Sequence, residues 1–152
     1  LIYNQGIEDR VATLETELRT AEERREWLAA RGPRHPVIVA EADGGPGAAG
    51  TVIGWGSLNV FNARPAYRHV ADFSVYVERA WRGKGVGHRL LERLIEMARE
   101  IAYHKMALST FPTNTGGVAL YERLGFSRVG VYHEQGMLDG QWVDTLIMEK
   151  LL

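Results

Sequence analysis

The sequence predicts a mixed fold of the α/β or α+β type, in which one strand-rich sheet has helices before, within and after it. Short apolar runs recur along the chain, separated by turns that contain glycine or proline. The strongest helical pattern, with apolar residues repeating about every 3.6 positions, lies between the apolar runs at 73–77 and 105–110. This strand–helix–strand order predicts one parallel crossover around the central helix.

The beginning of the chain carries helix signals. Residues 1–8 have the character of a helix end, and 11–19 alternate weakly, as in a loop or a short strand. Thr20 and Glu23 have the spacing of a capping box, in which each side chain accepts a hydrogen bond from the other residue's backbone. We therefore expect a helix over 20–31, ended by a glycine–proline pair.

Apolar runs bounded by turn residues predict the strands. The expected strands are 36–42, 51–61, 69–77, 105–110, 126–135 and 142–151. Residues 43–50, with four glycines and a proline, predict a mobile hairpin loop, and the Asp-Gly pair at 139–140 predicts a tight turn. The central helix is expected over 85–102, and Asn114 is expected to cap a further helix that stops at Gly125.

Length and composition limit the class of protein. The 152 residues suffice for one domain with its own core. A net charge of −1 argues against a nucleic-acid partner, and the lack of cysteine excludes a disulfide scaffold and a thiolate nucleophile. No apolar run approaches the ~18 residues of a membrane span and no signal peptide is visible, so we expect a cytoplasmic protein. The histidines lack the spacing of a metal site, so no metal is expected.

The most informative stretch is 82–88, RGKGVGH, which joins an apolar run to the central helix. Its three glycines let the backbone approach a ligand. The first N–H groups of the helix, together with Arg82 and Lys84, favour an anion such as a pyrophosphate. The Gly-Lys-Ser/Thr triplet of a Walker loop and the GxGxxG spacing of a dinucleotide fold are both missing. The pattern that remains is R-x-x-G-x-G, formed by Arg82, Gly85 and Gly87.

This loop resembles the signature of the GNAT acetyltransferase superfamily, in which backbone N–H groups hold the pyrophosphate of acetyl-CoA. Residues 114–126, NTGGVALYERLGF, resemble a second GNAT segment. The resemblance implies the GNAT fold, a mostly antiparallel sheet flanked by helices, with acetyl-CoA as co-substrate. It also implies that Asn114 contacts the pantetheine arm and that Tyr121 protonates the leaving thiolate. The purely structural alternatives are a helix cap for Asn114 and a core position for Tyr121.

Residues 66–77, AYRHVADFSVYV, resemble the phosphinothricin/methionine-sulfoximine N-acetyltransferase branch of that superfamily. Asp72 stands where the branch carries a glutamate and is the candidate base for the acceptor amine; the alternative is a solvent-facing acid at a strand edge. An aspartate keeps the charge but shortens the reach of the carboxylate. The resemblance covers nearly all of residues 1–152, a single GNAT domain, and the opening strand of the fold is expected before Leu1.

Two sets of binding residues are expected: the resemblance implies the cofactor set, and the chemistry of an amino-acid-like acceptor indicates the substrate set, to which the resemblance adds His133. The cofactor set is Val75, Tyr76, Val77, Arg82, Gly83, Lys84, Gly85, Val86, Gly87, His88, Asn114, Gly117 and Tyr121. The backbone of its β-strand part is expected to pair with the pantetheine amides, and an N–H near Val75 to polarise the thioester carbonyl. The substrate set is Phe61, Arg64, Tyr67, Arg68 and His133. Its arginines would bind acidic groups and its aromatic rings would wall a pocket; solvated arginines and core aromatics are the alternative.

These residues predict an acetyl-CoA-dependent N-acetyltransferase that acts by direct attack of a primary amine. The expected acceptor is a small amino-acid-like molecule such as phosphinothricin, methionine sulfoximine or methionine sulfone. A second prediction keeps the fold and changes the acceptor to a peptide N-terminus, an aminoglycoside or a polyamine. A third is an acyl-CoA sensor without turnover, against which the retained Asp72 and Tyr121 argue. The resemblance also implies a homodimer.

Overall fold

Helices and strands fill most of the computed structural model, which describes residues 1–10, 12–44 and 50–152. The helices are Ile2–Glu8 (α1), Ala21–Ala29 (α2), Val86–Glu100 (α3) and Thr115–Arg123 (α4). The strands are Val37–Ala42 (β1), Thr51–Val60 (β2), Val70–Val77 (β3), Lys105–Thr110 (β4), Ser127–Leu138 (β5) and Gln141–Leu151 (β6). Short 3-10 turns at Pro65–Tyr67 and Arg79–Trp81 precede and follow β3.

The strands form one sheet in the order β1-β2-β3-β4-β6-β5. β3 and β4 are parallel, and the other neighbouring pairs are antiparallel. Because α3 connects the two parallel strands, it forms the predicted crossover. The mixed fold and the mostly antiparallel sheet are thereby confirmed.

The ladder between β3 and β4 ends partway along the two strands. Its last described pair is Asp72 opposite Ala107. β3 continues beyond this point to Val77 and β4 to Thr110, while each keeps its antiparallel partner on the other side. A sheet that opens in this way presents backbone donors and acceptors on two facing edges, to which an extended ligand can add as a strand.

Helix α3 packs its apolar stripe against one face of the sheet. Leu91 and Leu94 of this helix are fully buried. Gly54 and Gly56 of β2 permit the close approach, because a Cβ at these positions would lie 3.0 and 2.9 Å from leucine methyl carbons of α3. The tight packing fixes the N-terminus of α3 beside the end of β3.

Local signals at the ends of elements are confirmed. Thr20 and Glu23 form the capping box, with donor–acceptor distances of 2.7 and 3.2 Å. The turn at Asp139 and Gly140 has φ values of 49° and 77°, as a tight hairpin turn requires. The last hairpin is longer than predicted, because irregular pairing with β6 lets β5 continue to Leu138.

The remaining predicted connections are seen in part. α2 ends at Ala29, ahead of the predicted residue 31, a difference typical of helix ends. Residues 12–19 contain no helix or strand, in line with the loop alternative. Val11 and residues 45–49, which include most of the predicted mobile loop, lie outside the described residues.

Candidate active site

The glycine-rich loop 82–88 joins β3 to α3 at the open end of the sheet. Gly83 and Gly85 have φ values of +74° and +85°, and Gly85 is the N-cap of α3. A Cβ at either position would meet nothing within 4 Å, so glycine is required for backbone conformation and not for space. The first N–H groups of α3 have no partner within the helix and lie at its positive dipole end. A glycine-rich loop that leads into a helix N-terminus in this way is typical of sites that hold anions.

A cavity of about 1110 Å3 opens beside this loop and along the open edge of β3. Every residue predicted to bind the cofactor lines it. These residues are Val75, Tyr76, Val77, Arg82, Gly83, Lys84, Gly85, Val86, Gly87, His88, Asn114, Gly117 and Tyr121. The structure therefore brings together the end of β3, the loop with the start of α3, and α4, at a cavity large enough for an extended ligand.

The backbone of β3 alternates in direction, and two hydrogen bonds fix its phase. The carbonyl of His69 accepts from the residue before β4 at 2.9 Å, and the N–H of Glu78 donates to a β2 carbonyl at 2.8 Å. Counting from either end, odd-numbered residues turn their backbone groups toward β4 and even-numbered ones toward β2. Val75 and Val77 therefore present backbone groups to the gap, whereas the backbone of Tyr76 pairs with β2.

Arg82 is held at the cavity by two contacts. Its Nε donates to the carbonyl of Val77 at 3.2 Å, and its guanidinium bonds the Asp9 carboxylate at 2.5 Å. The same carboxylate binds Arg79 at 2.6 Å, and the hydrogen bonds from Arg79 and then Arg82 lower the pKa of Asp9. Lys84 lies 5.2 Å from the centre of the Trp81 ring. Both cations of the loop are thus positioned by neighbouring groups.

Asp72 lies on the opposite face of the sheet from α3. Its neighbours Phe73 and Val75 pack in the core beneath that helix, so alternation turns Asp72 the other way. There it lines a second cavity, of about 290 Å3. Burial raises the pKa of Asp72 to about 6, opposed in part by a hydrogen bond from the Phe73 N–H. A carboxylate with this pKa is suited to accept a proton near neutral pH.

Tyr121 of α4 lines both cavities. Its ring packs edge-on against Phe73 and Phe126, with centroid distances of 5.9 and 6.2 Å. Burial raises the pKa of Tyr121, and the negative charge of Asp72 raises it further. The phenol therefore stays protonated at neutral pH and can donate a proton where the two cavities meet.

The predicted substrate residues lie elsewhere in the chain. Phe61, Arg64, Tyr67 and Arg68 occupy the β2–β3 connection, where the two rings contact each other at 5.8 Å. His133 is 81% exposed in its side chain and pairs with Asp144 at 3.3 Å. In the described structure, none of the five lines the cavity beside the glycine-rich loop or the cavity beside Asp72. The β2–β3 connection lies at the start of β3 and the glycine-rich loop lies at its end, so the length of the strand separates the two. The role of these five residues in substrate binding stays a prediction.

The smaller cavity has further lining residues that no sequence pattern indicated. They include Thr13, Leu14, Ser109, Phe111 and Thr145. They come from the loop before α2, from β4 and its end, and from β6, so only the folded sheet brings them beside Asp72. Strand register would have placed Thr145, but register depends on pairings between distant segments. The contact of Asp9 with Arg82 is also not predictable from the sequence, because 73 positions separate the two residues.

Two negative findings apply to the described residues alone. Within them, no three His, Asp or Glu side chains are grouped so as to hold a metal ion. Across the same ranges, no helix is both long enough and apolar enough to cross a membrane.

The sequence matches known proteins over almost its whole length. The profile of the Acetyltransferase (GNAT) family matches residues 5–126. The L-methionine sulfoximine/L-methionine sulfone acetyltransferase of Pseudomonas paraeruginosa is 32% identical over 149 residues, which cover 97% of this chain and 84% of the relative. The L-amino acid N-acyltransferase MnaT of Escherichia coli is 31% identical, with 97% and 83% covered. The chain therefore belongs to the acetyltransferase (GNAT) family.

Solved structures agree with this assignment. A ribosomal-protein-alanine N-acetyltransferase from Brucella melitensis superposes with a TM-score of 0.92 at 36% identity, covering 99% of this chain and 90% of the other. A GNAT superfamily phosphinothricin acetyltransferase from Sinorhizobium meliloti, in complex with AcCoA, gives 0.89 at 30% identity, with 99% and 80% covered. The protein is an acetyl-CoA-dependent N-acetyltransferase, with acetyl-CoA as its co-substrate.

Proposed function

We propose that the protein transfers the acetyl group of acetyl-CoA to the primary amine of a small amino-acid-like acceptor by direct attack. The observation that carries the proposal is the meeting of two cavities at Tyr121, one with an anion site and one with the carboxylate of Asp72. Relatives that act on methionine sulfoximine, methionine sulfone and amino acids support this acceptor class. The solved phosphinothricin acetyltransferase supports it as well.

Asp72 accepts the proton that the acceptor ammonium must lose before the amine attacks. With a pKa of about 6, the carboxylate is mostly ionised at neutral pH and still basic enough to take the proton, directly or through water. The N–H of Val75, directed toward the gap, stabilises the oxyanion of the tetrahedral intermediate. The phenol of Tyr121 protonates the thiolate as it leaves. Because the chain has no cysteine, no acyl-cysteine intermediate takes part.

Acetyl-CoA binding falls to the open edge of β3 and the glycine-rich loop. The carbonyl of Val75 and the N–H of Val77 pair with the amides of the pantetheine arm, as an added strand would, since the carbonyl of Val77 already accepts from Arg82. The loop and the start of α3 hold the pyrophosphate, with Arg82 and Lys84 adding positive charge. Asn114 caps α4 through a 3.2 Å bond from the N–H of Gly117, and its place in the lining of the same cavity supports a contact with the pantetheine arm as well.

A peptide N-terminus is the second candidate acceptor, since the Brucella neighbour is a ribosomal-protein-alanine N-acetyltransferase. The size of the cavity beside Asp72, about 290 Å3, favours a small molecule over a peptide. A polyamine or aminoglycoside needs several acids, and Asp72 is the one carboxylate among the described residues that line this cavity. A sensor without turnover would not need Asp72 and Tyr121 at the junction.

Release of CoA thiol, followed with a colorimetric thiol reagent, tests the proposal. The protein contributes no thiol signal of its own, because it has no cysteine. We expect release that depends on added L-methionine sulfone or phosphinothricin, and little release with an alanine-initiated peptide or spermidine. If CoA thiol is released with the peptide and with no other acceptor, the proposed acceptor class is wrong and a peptide N-terminus takes its place. If the protein binds CoA but releases no thiol with any acceptor, the result supports an acyl-CoA sensor without turnover.

We also propose a homodimer located in the cytoplasm, where acetyl-CoA is supplied to such enzymes. Large apolar side chains are exposed on one face of the β5–β6 hairpin, where Met137 (51%) is opposite Trp142 (62%) and Val131 (40%) is opposite Leu146. Exposed apolar patches of this kind are typical of subunit interfaces. Light scattering on the purified protein should give twice the monomer mass, and a monomer at all concentrations would contradict the proposal.

A further inference from the structure

Thr145 carries a buried hydroxyl with an unsatisfied hydrogen-bonding capacity. The residue is 3% exposed, and its Oγ1 has no hydrogen-bond partner among the described residues. Buried polar atoms normally have a partner, because leaving one without a partner costs stability. Thr145 lines the cavity that contains Asp72. A bound ligand can therefore supply the partner that the chain does not.

The register of the sheet places this hydroxyl on the same face as the proposed base. Asp72 is opposite Ala107 in the β3–β4 ladder, and Ser109 is opposite Ile147 in the β4–β6 ladder. Directly opposed residues share a face, as do residues two apart on one strand. Asp72, Ser109 and Thr145 therefore lie on one face of three adjacent strands. Thr145 lies two strand spacings from Asp72 across the sheet and four residues further along it, because Asp72 is opposite Ala107 whereas Leu146 is opposite Thr110. The two Cα atoms are therefore roughly 16 Å apart.

The cavity offers neutral hydrogen-bonding groups around a single charge. Besides Asp72, its polar side chains are hydroxyls and one amide, with no Arg, Lys or His among its described lining residues. The hydroxyl of Ser74 accepts from Asn59 at 3.0 Å, and that of Thr110 accepts from Asn114 at 3.2 Å. These two hydroxyls are already engaged within the protein. Thr145 is the buried hydroxyl that has no such partner.

We propose that Thr145 is a specificity-determining residue, whose hydroxyl hydrogen-bonds a neutral polar group on the acceptor's side chain while the acceptor's amine faces Asp72. This inference rests on the proposed function and narrows its substrate class to acceptors with a neutral oxygen or NH beyond the α-carbon. A sulfone or sulfoximine meets this requirement, and a plain thioether does not. A separation of this size requires an acceptor with an extended side chain, or a water molecule between one of its polar groups and the protein.

Two substitutions and two acceptors test the inference. Thr145→Val removes the hydroxyl with little change of shape, and Thr145→Ser keeps it. The acceptors are L-methionine sulfone and L-methionine, which differ only in the two sulfone oxygens. We expect Thr145→Val to lower kcat/KM for the sulfone about tenfold, as loss of one buried hydrogen bond does, with little change for methionine. Thr145→Ser should keep the preference for the sulfone, and KM for acetyl-CoA should be unchanged in both variants.

The melting temperature supplies a readout that does not depend on the acceptor. Because Oγ1 has no partner within the described chain, Thr145→Val should melt no lower than the wild type. A lower melting temperature would show an internal partner and contradict the inference. Equal losses for both acceptors, or no loss for either, would also overturn it while leaving the function intact. If the wild type acetylates neither acceptor yet binds CoA, the proposed function fails, and the inference fails with it.

Discussion

The two cavities that meet at Tyr121 are built in different ways. The larger one is lined by backbone groups and fixed positive charge, supplied by one short loop, the start of α3 and an open strand edge. The smaller one is lined by side chains, mostly hydroxyls and the carboxylate of Asp72, which three strands and a loop bring together. The first site depends on local backbone conformation, and the second depends on strand register. Changes to residues that line one cavity alone should therefore affect the two sites independently.

Among the substitutions considered, Asp72→Asn should reduce turnover the most. Its effect should be limited to the chemistry at the smaller cavity. The amide keeps the size of the side chain but cannot accept the ammonium proton, so we expect kcat to fall by about 10²–10⁴-fold. KM for acetyl-CoA should hardly change. Asp139→Asn, at an exposed position on the hairpin turn, serves as a control with the same chemical change. Steady-state kinetics that show a similar loss in both variants would argue against a specific role of Asp72.

Tyr121→Phe tests the junction between the cavities. The ring contacts with Phe73 and Phe126 remain, and only the proton donor is lost. We expect kcat to fall about 10- to 100-fold, less than for loss of the base. A thiol has a lower pKa than an amine, so the CoA thiolate can leave without full protonation, whereas an ammonium cannot attack until it has lost its proton. Acetyl-CoA affinity, measured by calorimetry, should be nearly unchanged. Unaltered turnover would remove Tyr121 from the mechanism.

These differences between the cavities also explain what the sequence could reveal. The loop 82–88 and the segment 114–126 are contiguous, so their glycines, cations, Asn114 and Tyr121 could be recognised without the fold. The capping box at Thr20 and the stripe of α3 are local for the same reason. These features depend on neighbours along the chain, which a sequence displays directly.

Features that depend on distant pairing could not be predicted. The end of the β3–β4 ladder at Asp72 follows from how two strands diverge, and no residue type marks it. Thr145 becomes a cavity residue only through its register with β4. The charge of Arg64 and Arg68 indicates an acid-binding role without showing where the acid binds, and the connection that carries them lies at the other end of β3 from the glycine-rich loop.

Gly85→Ala should disturb the larger cavity alone. The residue has a φ of +85°, and forcing an L side chain into that region costs about 1–2 kcal/mol. We expect KM for acetyl-CoA to rise about tenfold, with the acceptor KM little affected. Gly32→Ala is the matched control, because its added Cβ meets nothing within 4 Å and its φ is not in the left-handed region. An equal effect on the acceptor KM would mean that the two sites are not independent.

Asp9→Asn should give the smallest effect. Asp9 and Arg82 are 23% and 36% exposed in their side chains, and ion pairs this close to solvent contribute about 0–1 kcal/mol. We expect KM for acetyl-CoA to rise about two- to fivefold as Arg82 loses its orientation, and the difference to shrink at high salt. Glu96→Gln, which loosens a similar pair with Arg93 on the outer face of α3, should not change KM.

The ionisation of Asp72 should also appear in the stability of the protein. Burial raises its pKa from 3.8 to about 6, so the folded state holds the proton more tightly than the unfolded state does. Stability from this group is therefore present at low pH and is lost as the pH rises from about 4 to about 6. The melting temperature of Asp72→Asn minus that of the wild type should therefore increase as the pH rises from about 4 to about 6. A difference that is constant with pH would contradict the assigned burial.

The pH dependence of kcat/KM for the acceptor, at saturating acetyl-CoA, tests the central role of Asp72 most directly. The wild type should show a rising limb with a midpoint near 6, as the carboxylate loses its proton, separate from the later limb of the acceptor amine. In Asp72→Asn this first limb should disappear, and only the limb of the amine should remain. The same limb near pH 6 in both proteins would mean that another group is the base.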